Sequence, residues 1–271
     1  MLTRPTHMTT LERGMTLSAH GTPALQLAAV GVDLGSANTR IWAAGHATLH
    51  ATYPTPAGAG RSGPVDRGRI TDPKAMQGLL SGLLGERRRP LPSGMVVVAC
   101  RPVGSDPRGE RAMREVLTAV LEPARLLFIN TVRAAAIGAA AAPGPLLIAD
   151  VGAHLTEVAV LSDGIIVAAE RQDVGLHDDA DGPDPDAALV AAVTGLIGQV
   201  RRRPGDRRAI AAAVRGGLLL VGGGAARPRL AARIAGATGI PVRRPAAPQL
   251  AAVRGAALAA SAALRHSAAR P

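Results

Sequence analysis

One pattern, met twice, constrains this chain more than any other: an apolar strand, an Asp-x-Gly turn, then an alternating strand. The first copy is Gly31-Val32-Asp33-Leu34-Gly35-Ser36-Ala37-Asn38-Thr39-Arg40, preceded by an apolar run from Leu25 to Val30 and followed by Ile41-Trp42-Ala43. The second is Leu146-Leu147-Ile148-Ala149-Asp150-Val151-Gly152-Ala153-His154-Leu155-Thr156, continuing with alternation to Leu161. Apolar residues around a cluster of Gly, Ser and Asn read as strand, tight turn and strand. A third glycine element, Gly222-Gly223-Gly224, follows the apolar run Leu218 to Val221 and leads into an Arg/Ala-rich helical stretch.

The residue types in the first turn suit anion binding. Gly35 lets the backbone approach a ligand closely, and Ser36, Asn38 and Thr39 supply hydroxyl, amide and backbone N–H donors. Asp33, closing the strand, can hold the water shell of a Mg²⁺ ion. A ligand-free β-hairpin carries the same residues, so this turn alone does not separate the two readings; its recurrence at Asp150 favours the ligand.

A chain of 271 residues is long enough for one large domain or two small ones with a real core. No apolar stretch reaches membrane-span length and the start lacks a signal-peptide core, which leads us to expect a cytoplasmic protein. Cys100, the single cysteine, sits in an apolar run and reads as a small buried hydrophobe. The net charge of +11 invites a nucleic-acid reading. Against it, the basic residues are scattered, and Trp42, Tyr53 and Phe128 are the only aromatics available for stacking. A solvated basic surface is the better account, with attraction to anionic lipid left open.

Taken in order, residues 1–24 show no sustained periodicity and read as a flexible tail. Ala57 to Gly68 is a Gly/Pro/Arg-rich loop. Asp72-Pro73 opens a helix from Lys74 to Leu84, and Asp106-Pro107 caps another bearing Met113, Val116, Leu117 and Leu121 on one face. Met95 to Cys100 and Leu126 to Ile129 read as strands, and Arg133 to Ala142 as an Ala-rich helix. The second half repeats this order. Strands fall at Leu146–Val151, Thr156–Leu161 and Ile165–Ala169; Asp173 to Asp186 is an acidic loop; a helix spans Ala187 to Arg201. After the strand Leu218–Val221 come a helix from Pro228 to Ala237, a strand at Pro241-Val242, and a last helix from Gln249 to about Leu264. Two halves of alternating strands and helices give an α/β class.

These residues, in this order, resemble the MreB family of bacterial actin homologues, the rod shape-determining proteins of the actin and sugar-kinase superfamily. The matching pieces are residues 31–39, Gly-Arg-Ile-Thr-Asp at 68–72, Arg-Ala-Met-Arg-Glu at 111–115, Ala-Ala-Ala-Ile-Gly-Ala at 134–139, Thr-Glu-Val-Ala-Val-Leu at 156–161, the glycine triplet, and Ala-Ala-Val-Arg-Gly at 251–255. The resemblance implies a duplicated, actin-like (ribonuclease H-like) α/β fold: two lobes with mixed sheets flanked by helices. The first lobe would span 25–142 and the second 143–248, with 249–271 returning to the first. It implies ATP with Mg²⁺ between the lobes. Asp33, Gly35, Ser36, Ala37 and Asn38 would lie at the first phosphate loop, Asp150, Gly152 and His154 at the second, and Gly222, Gly223 and Gly224 at the adenosine. Asp33 and Asp150 would hold Mg²⁺ through water. It further implies self-association into filaments and membrane-associated cell-wall or sporulation partners, with a peripheral place at the inner face of the membrane.

Three departures shape the functional expectation. The family's second phosphate turn is Asp-x-Gly-Gly-Gly-Thr-Thr; here Ala153 and His154 restrict φ and crowd the backbone. Where the family places a Glu to orient attacking water, this chain has Asn130-Thr131-Val132, and a threonine is no carboxylate base. Both outer subdomains are trimmed, between Ala47 and Gly68 and at 176–186. The expectation is therefore an MreB-like cytoskeletal protein that binds ATP, with weak or no hydrolysis, and acts in cell shape or cell-wall morphogenesis. The alternative is a non-enzymatic pseudo-ATPase scaffold for division or sporulation partners. A small-molecule kinase fits less well, because the carboxylates near the cleft, Asp33, Asp150 and Glu157, are already used.

Overall fold

The computed structural model describes residues 28–43, 48–53, 63–85, 91, 94–178 and 183–268. The expected N-terminal tail lies outside them. In the first half, β1 (Ala29–Leu34), β2 (Asn38–Ala43) and β3 (Leu49–Thr52) form an antiparallel meander, and β4 (Val65–Asp66) and β5 (Arg69–Ile70) a separate small hairpin. Then come α1 (Pro73–Gly85), β6 (Val96–Arg101), α2 (Pro107–Leu121), β7 (Arg125–Asn130) and α3 (Thr131–Gly138). The second half has β8 (Leu146–Val151), β9 (Thr156–Ser162), β10 (Ile165–Gln172), α4 (Ala187–Arg202), α5 (Arg207–Arg215), β11 (Leu218–Val221), α6 (Pro228–Thr238), β12 (Val242–Arg243) and α7 (Ala251–Ala268).

The two sheets have the orders β3-β2-β1-β6-β7 and β10-β9-β8-β11-β12. In each, an antiparallel meander is extended by two parallel strands reached through helices. The halves are thus one topology used twice, with β1 matching β8, β2 matching β9, and α3 matching α7.

Period-two alternation sorts the side chains of each sheet between two helix layers. On β6, Val97 and Ala99 pack with Met76 and Leu80 of α1 and with Met113, Val116 and Leu117 of α2. Their neighbours Val98 and Cys100 face the other way, toward Val132 and Ala135 of α3 and Ala252 and Ala256 of α7. In the second sheet, Leu147, Ala149, Leu218 and Leu220 meet α4, α5 and α6, while Ile148, Leu219 and Val221 join the central cluster. The result is a layered body with α3 and α7 sandwiched between the sheets.

That middle layer is thin because it is built from small residues. A Cβ at Gly255 would overlap the Ala134 carbonyl, and one at Gly138 the Ala251 carbonyl. Gly31 serves α7 likewise: a Cβ there would strike the backbone of Val253 and Ala257.

Several local expectations need correction. The helix expected to run to Ala142 stops at Gly138; Ala140 adopts φ +51°, outside helical space. The Gly/Pro/Arg-rich loop contains β4, which pairs with β5 just past the loop's end after turning through Arg67 (φ +47°) and Gly68 (φ +76°). Helix α5 was not anticipated, although its signals are present: Asp206 accepts from the Ala209 N–H at 2.9 Å, and Ile210 and Ala213 are buried. Strand β10 runs to Gln172, three residues past its expected end.

The α3–α7 crossing generates a stability prediction. Gly255→Val should lower the unfolding free energy in urea by about 3 kcal/mol or more, since backbone rather than a flexible side chain must move. Gly236→Ala, on α6 with open space around it, should raise it by about 0.5–1 kcal/mol.

Candidate functional site

The two Asp-x-Gly turns are closed the same way. The Gly35 N–H donates to the Asn38 carbonyl at 2.9 Å, and the Gly152 N–H to the Leu155 carbonyl at 2.8 Å. A Cβ would lie 3.0 Å from the Asn38 oxygen at Gly35 and 3.1 Å from the Leu155 oxygen at Gly152, so glycine permits both tight bends. Strand register then selects which side chains reach the turns' shared face. Asp33 is opposite Arg40 across the first hairpin, and Asp150 opposite Glu157 across the second.

These groups converge on one pocket at the carboxyl ends of β1 and β8. Its walls include Asp33, Gly35, Ser36, Ala37, Asn38 and Arg40 from the first half, and Asp150, Gly152, Glu157, Gly222 and Gly223 from the second. Thr131, the first residue of α3, also lines it. The pocket volume is about 150 Å³, below the roughly 300–1,000 Å³ typical of a whole small-molecule site. That suits a phosphate group more than an entire nucleotide.

Gly222 is held at φ +83°, and a Cβ there would collide with Asp150 Oδ1 and the Val151 carbonyl. Its N–H donates to the Pro248 carbonyl at 3.1 Å. Gly224 instead packs under Val151 and Leu230 and does not line the pocket.

Two further expected residues are turned elsewhere. His154 Nδ1–H donates to Asp178 Oδ1, 3.0 Å away, and the ring stacks edge-on against His177. It is His177, not His154, that lines the pocket. Asn130 lines a separate groove with Val103, Glu170, Arg171 and Arg203. One residue of alternation between Asn130 and Thr131, at the strand-to-helix junction, sends them to opposite sides.

Two side chains of the first turn already have protein partners. The Arg67 N–H donates to Ser36 Oγ at 3.0 Å. Asn38 Oδ1 accepts from Thr52 Oγ1 at 3.0 Å and lies 2.7 Å from His50 Nε2. Arg67 also reaches Asp178 at 3.0 Å, tying the β4–β5 hairpin to the second lobe. Asp178 in turn accepts the Gly175 N–H at 2.7 Å.

The electrostatics are dominated by desolvation. Burial pushes the Asp150 carboxyl up to about 7, with the Asp33 charge adding to the effect and Arg40 opposing it. Burial, then the charge of Asp150, lifts Glu157 to about 8, although the Val103 N–H donates to its Oε1 at 2.6 Å and Arg171 opposes the shift. Asp33 is raised by burial and held back by Arg40. Cys100, also on the wall, is pushed well up by burial and is an unreactive thiol.

The pair expected to hold magnesium through water, Asp33 and Asp150, both line the pocket, with Arg40 beside the first of them. Arg40 Nη1 stands 3.9 Å from Asp33 Oδ2. Two unit charges about 4 Å apart interact by about 4 kcal/mol at an effective dielectric constant near 20, and a dication beside Asp33 would meet Arg40 as a like charge. Among the described residues no group of three or more His, Cys, Asp or Glu is placed to hold a metal ion.

A sequence profile of the MreB/Mbl protein family matches residues 29–181, more than half of the chain. The chain belongs to the MreB/Mbl family. Its fold is similar to that of MreB5 from Spiroplasma citri. The crystal structure of MreB 5 bound to AMPPNP superimposes with a TM-score of 0.76 at 16% identity, covering 90% of this chain and 98% of that one. MreB5 bound to ADP gives 0.73 at 16%, covering 91% and 100%. The ethanolamine utilization protein EutJ from Carboxydothermus hydrogenoformans gives 0.60 at 19%, covering 88% and 91%. Comparison with curated protein sequences yields no match. The sequence-based assignment to MreB-like proteins, and to two actin-like lobes with mixed sheets flanked by helices, holds. Among the described residues, the stretch between β3 and α1 builds only a two-stranded hairpin, and that between β10 and α4 only turns. No helix of the described residues is long and apolar enough to cross a membrane.

Arg40, Arg67 and Asp178 were the site residues that sequence reasoning passed over, whereas Glu157 was already expected near the cleft. Arg40 had a signal, because it is two residues beyond Asn38 on the same strand face. Arg67 and Asp178 had none, because only the folded chain brings them together.

The raised carboxyls carry a pH prediction. Folded Asp150 and Glu157 keep protons that the unfolded chain releases in the ordinary carboxylate range, so the folded state binds more protons and stability falls as pH rises through the folded values. The melting temperature should drop from about pH 5 to about pH 8 and level off above, and Asp150→Asn with Glu157→Gln should flatten that slope, as read by calorimetric scans across the interval.

Proposed function

We propose that this member of the MreB/Mbl family binds a nucleotide between its lobes, with the phosphates at the paired hairpins, and hydrolyses it weakly or not at all. The observation carrying this reading is the convergence of both Asp-bearing hairpins and the Gly222-Gly223 bend on one pocket. The ligands of the two Spiroplasma citri structures, AMPPNP and ADP, support the class.

Turnover lacks a base. Thr131 stands on the pocket wall and cannot accept a proton from attacking water as a carboxylate does. Glu157 is occupied by the Val103 N–H and faces Arg171 across the β9–β10 ladder. The biological role we assign is that of a self-associating cytoskeletal element in cell shape or cell-wall morphogenesis. In this reading the protein works in the cytoplasm, at the inner face of the membrane, with membrane-associated partners.

A second reading, a scaffold that binds no nucleotide, is favoured by one specific observation. Ser36 Oγ and Asn38 Oδ1 already accept hydrogen bonds from within the protein, and the Arg67–Asp178 pair links the β4–β5 hairpin to the loop after β10. Calorimetric titration separates the two. AMPPNP and ADP should each bind in about a one-to-one ratio, and a phosphate-release assay with ATP should stay at the no-protein background. Absence of heat with both nucleotides would leave only the scaffold. Release of phosphate over many turnovers would refute the inactive cleft.

A further inference from the structure

Arg40 is the feature of this pocket that the family assignment leaves unexplained. It is the cross-strand partner of Asp33, so the register of β1 and β2 obliges both side chains to share a face. The alternation of β2 puts Thr39 and Ile41 into the core and leaves Asn38 and Arg40 on the pocket. Its side chain is only 15% exposed, and its guanidinium lies 3.9 Å from Asp33 Oδ2. It is long enough to be felt at Asp150 and His50 as well, lowering the carboxyl of the one and the imidazole of the other. A positive charge this fixed, between two phosphate-type turns, is placed as a counter-ion for whatever anion enters.

We propose that Arg40 is the resident cation of the cleft, so that the phosphates of a nucleotide are held without a divalent metal. The claim rests on the nucleotide reading above and deepens it. A guanidinium is permanently charged, weakly hydrated, and shaped to hold two phosphate oxygens at once. Magnesium, by contrast, needs open carboxylates and room for its waters. Here the carboxylate nearest the first turn already has the Arg40 guanidinium 3.9 Å away, and the pocket is small. Asp150 and Glu157, raised toward neutrality by burial, add less negative charge than their number suggests. An incoming phosphate therefore meets the Arg40 guanidinium beside Asp33, and two carboxyls whose negative charge burial has reduced.

The test is calorimetric titration of the full chain with ADP and AMPPNP, in excess EDTA and in excess Mg²⁺. Binding by the unaltered protein should differ by less than about threefold between the two conditions, and Arg40→Leu should weaken metal-free binding by about tenfold or more, equivalent to about 1.4 kcal/mol. Arg40→Lys, which keeps the charge and loses the fork, should fall between them. Binding that requires Mg²⁺ in the unaltered protein overturns the proposal while leaving the nucleotide reading intact, and needs no variant to fold. Equal metal-free binding by Arg40→Leu, its fold checked by circular dichroism, overturns it too. Heat from neither nucleotide in either condition removes the nucleotide reading, and this inference with it.

Discussion

The closeness of α3 and α7 is the constraint on which the rest of the molecule depends. Gly138 and Gly255 remove the side chains that would hold the two helices apart, so backbone meets backbone at the crossing. Alanines fill the remainder of the interface, and the central cluster is correspondingly poor in large residues. Because each helix also packs on a sheet, the thickness of this layer sets the separation of the sheets and so of the hairpins at their ends. A wider spacing would part Asp33 from Asp150 and dissolve the pocket.

Within that frame the site is an exercise in charge under desolvation. Three carboxylates are brought to one place, and water is largely withdrawn from them. The protein answers in three ways: a guanidinium beside Asp33, a backbone N–H on Glu157, and protons retained near neutral pH. The pseudo-symmetric positions Arg40 and Glu157 carry opposite charges, so the duplicated topology does not give a duplicated chemistry. One half supplies the fixed cation, and the other supplies groups whose charge depends on pH.

Much of this was legible beforehand. Both hairpins, the glycine bend, the buried strand before Cys100 and the Asp106 cap follow from short-range rules: alternation, turn residues and capping. The family followed from the order of those pieces. Legibility failed where two segments far apart in sequence decide the outcome. His154 sits in the phosphate turn by sequence, yet Asp178, from the loop after β10, draws its ring away. Helix α5 escaped notice because its arginines mask a short apolar face.

What the sequence determined by itself was the set of strands, turns and caps, and their duplicated order, because those depend on neighbours within a few residues. The tertiary structure alone decided which of the candidate residues share a pocket. Thr131 faces it and Asn130 does not; Gly223 lines it and Gly224 is packed beneath Val151. A side chain's direction reverses with each residue along a strand, and the register between distant strands fixes what it meets. Arg40 therefore became a cleft residue only when β2 paired with β1 and the two sheets closed on the α3–α7 layer.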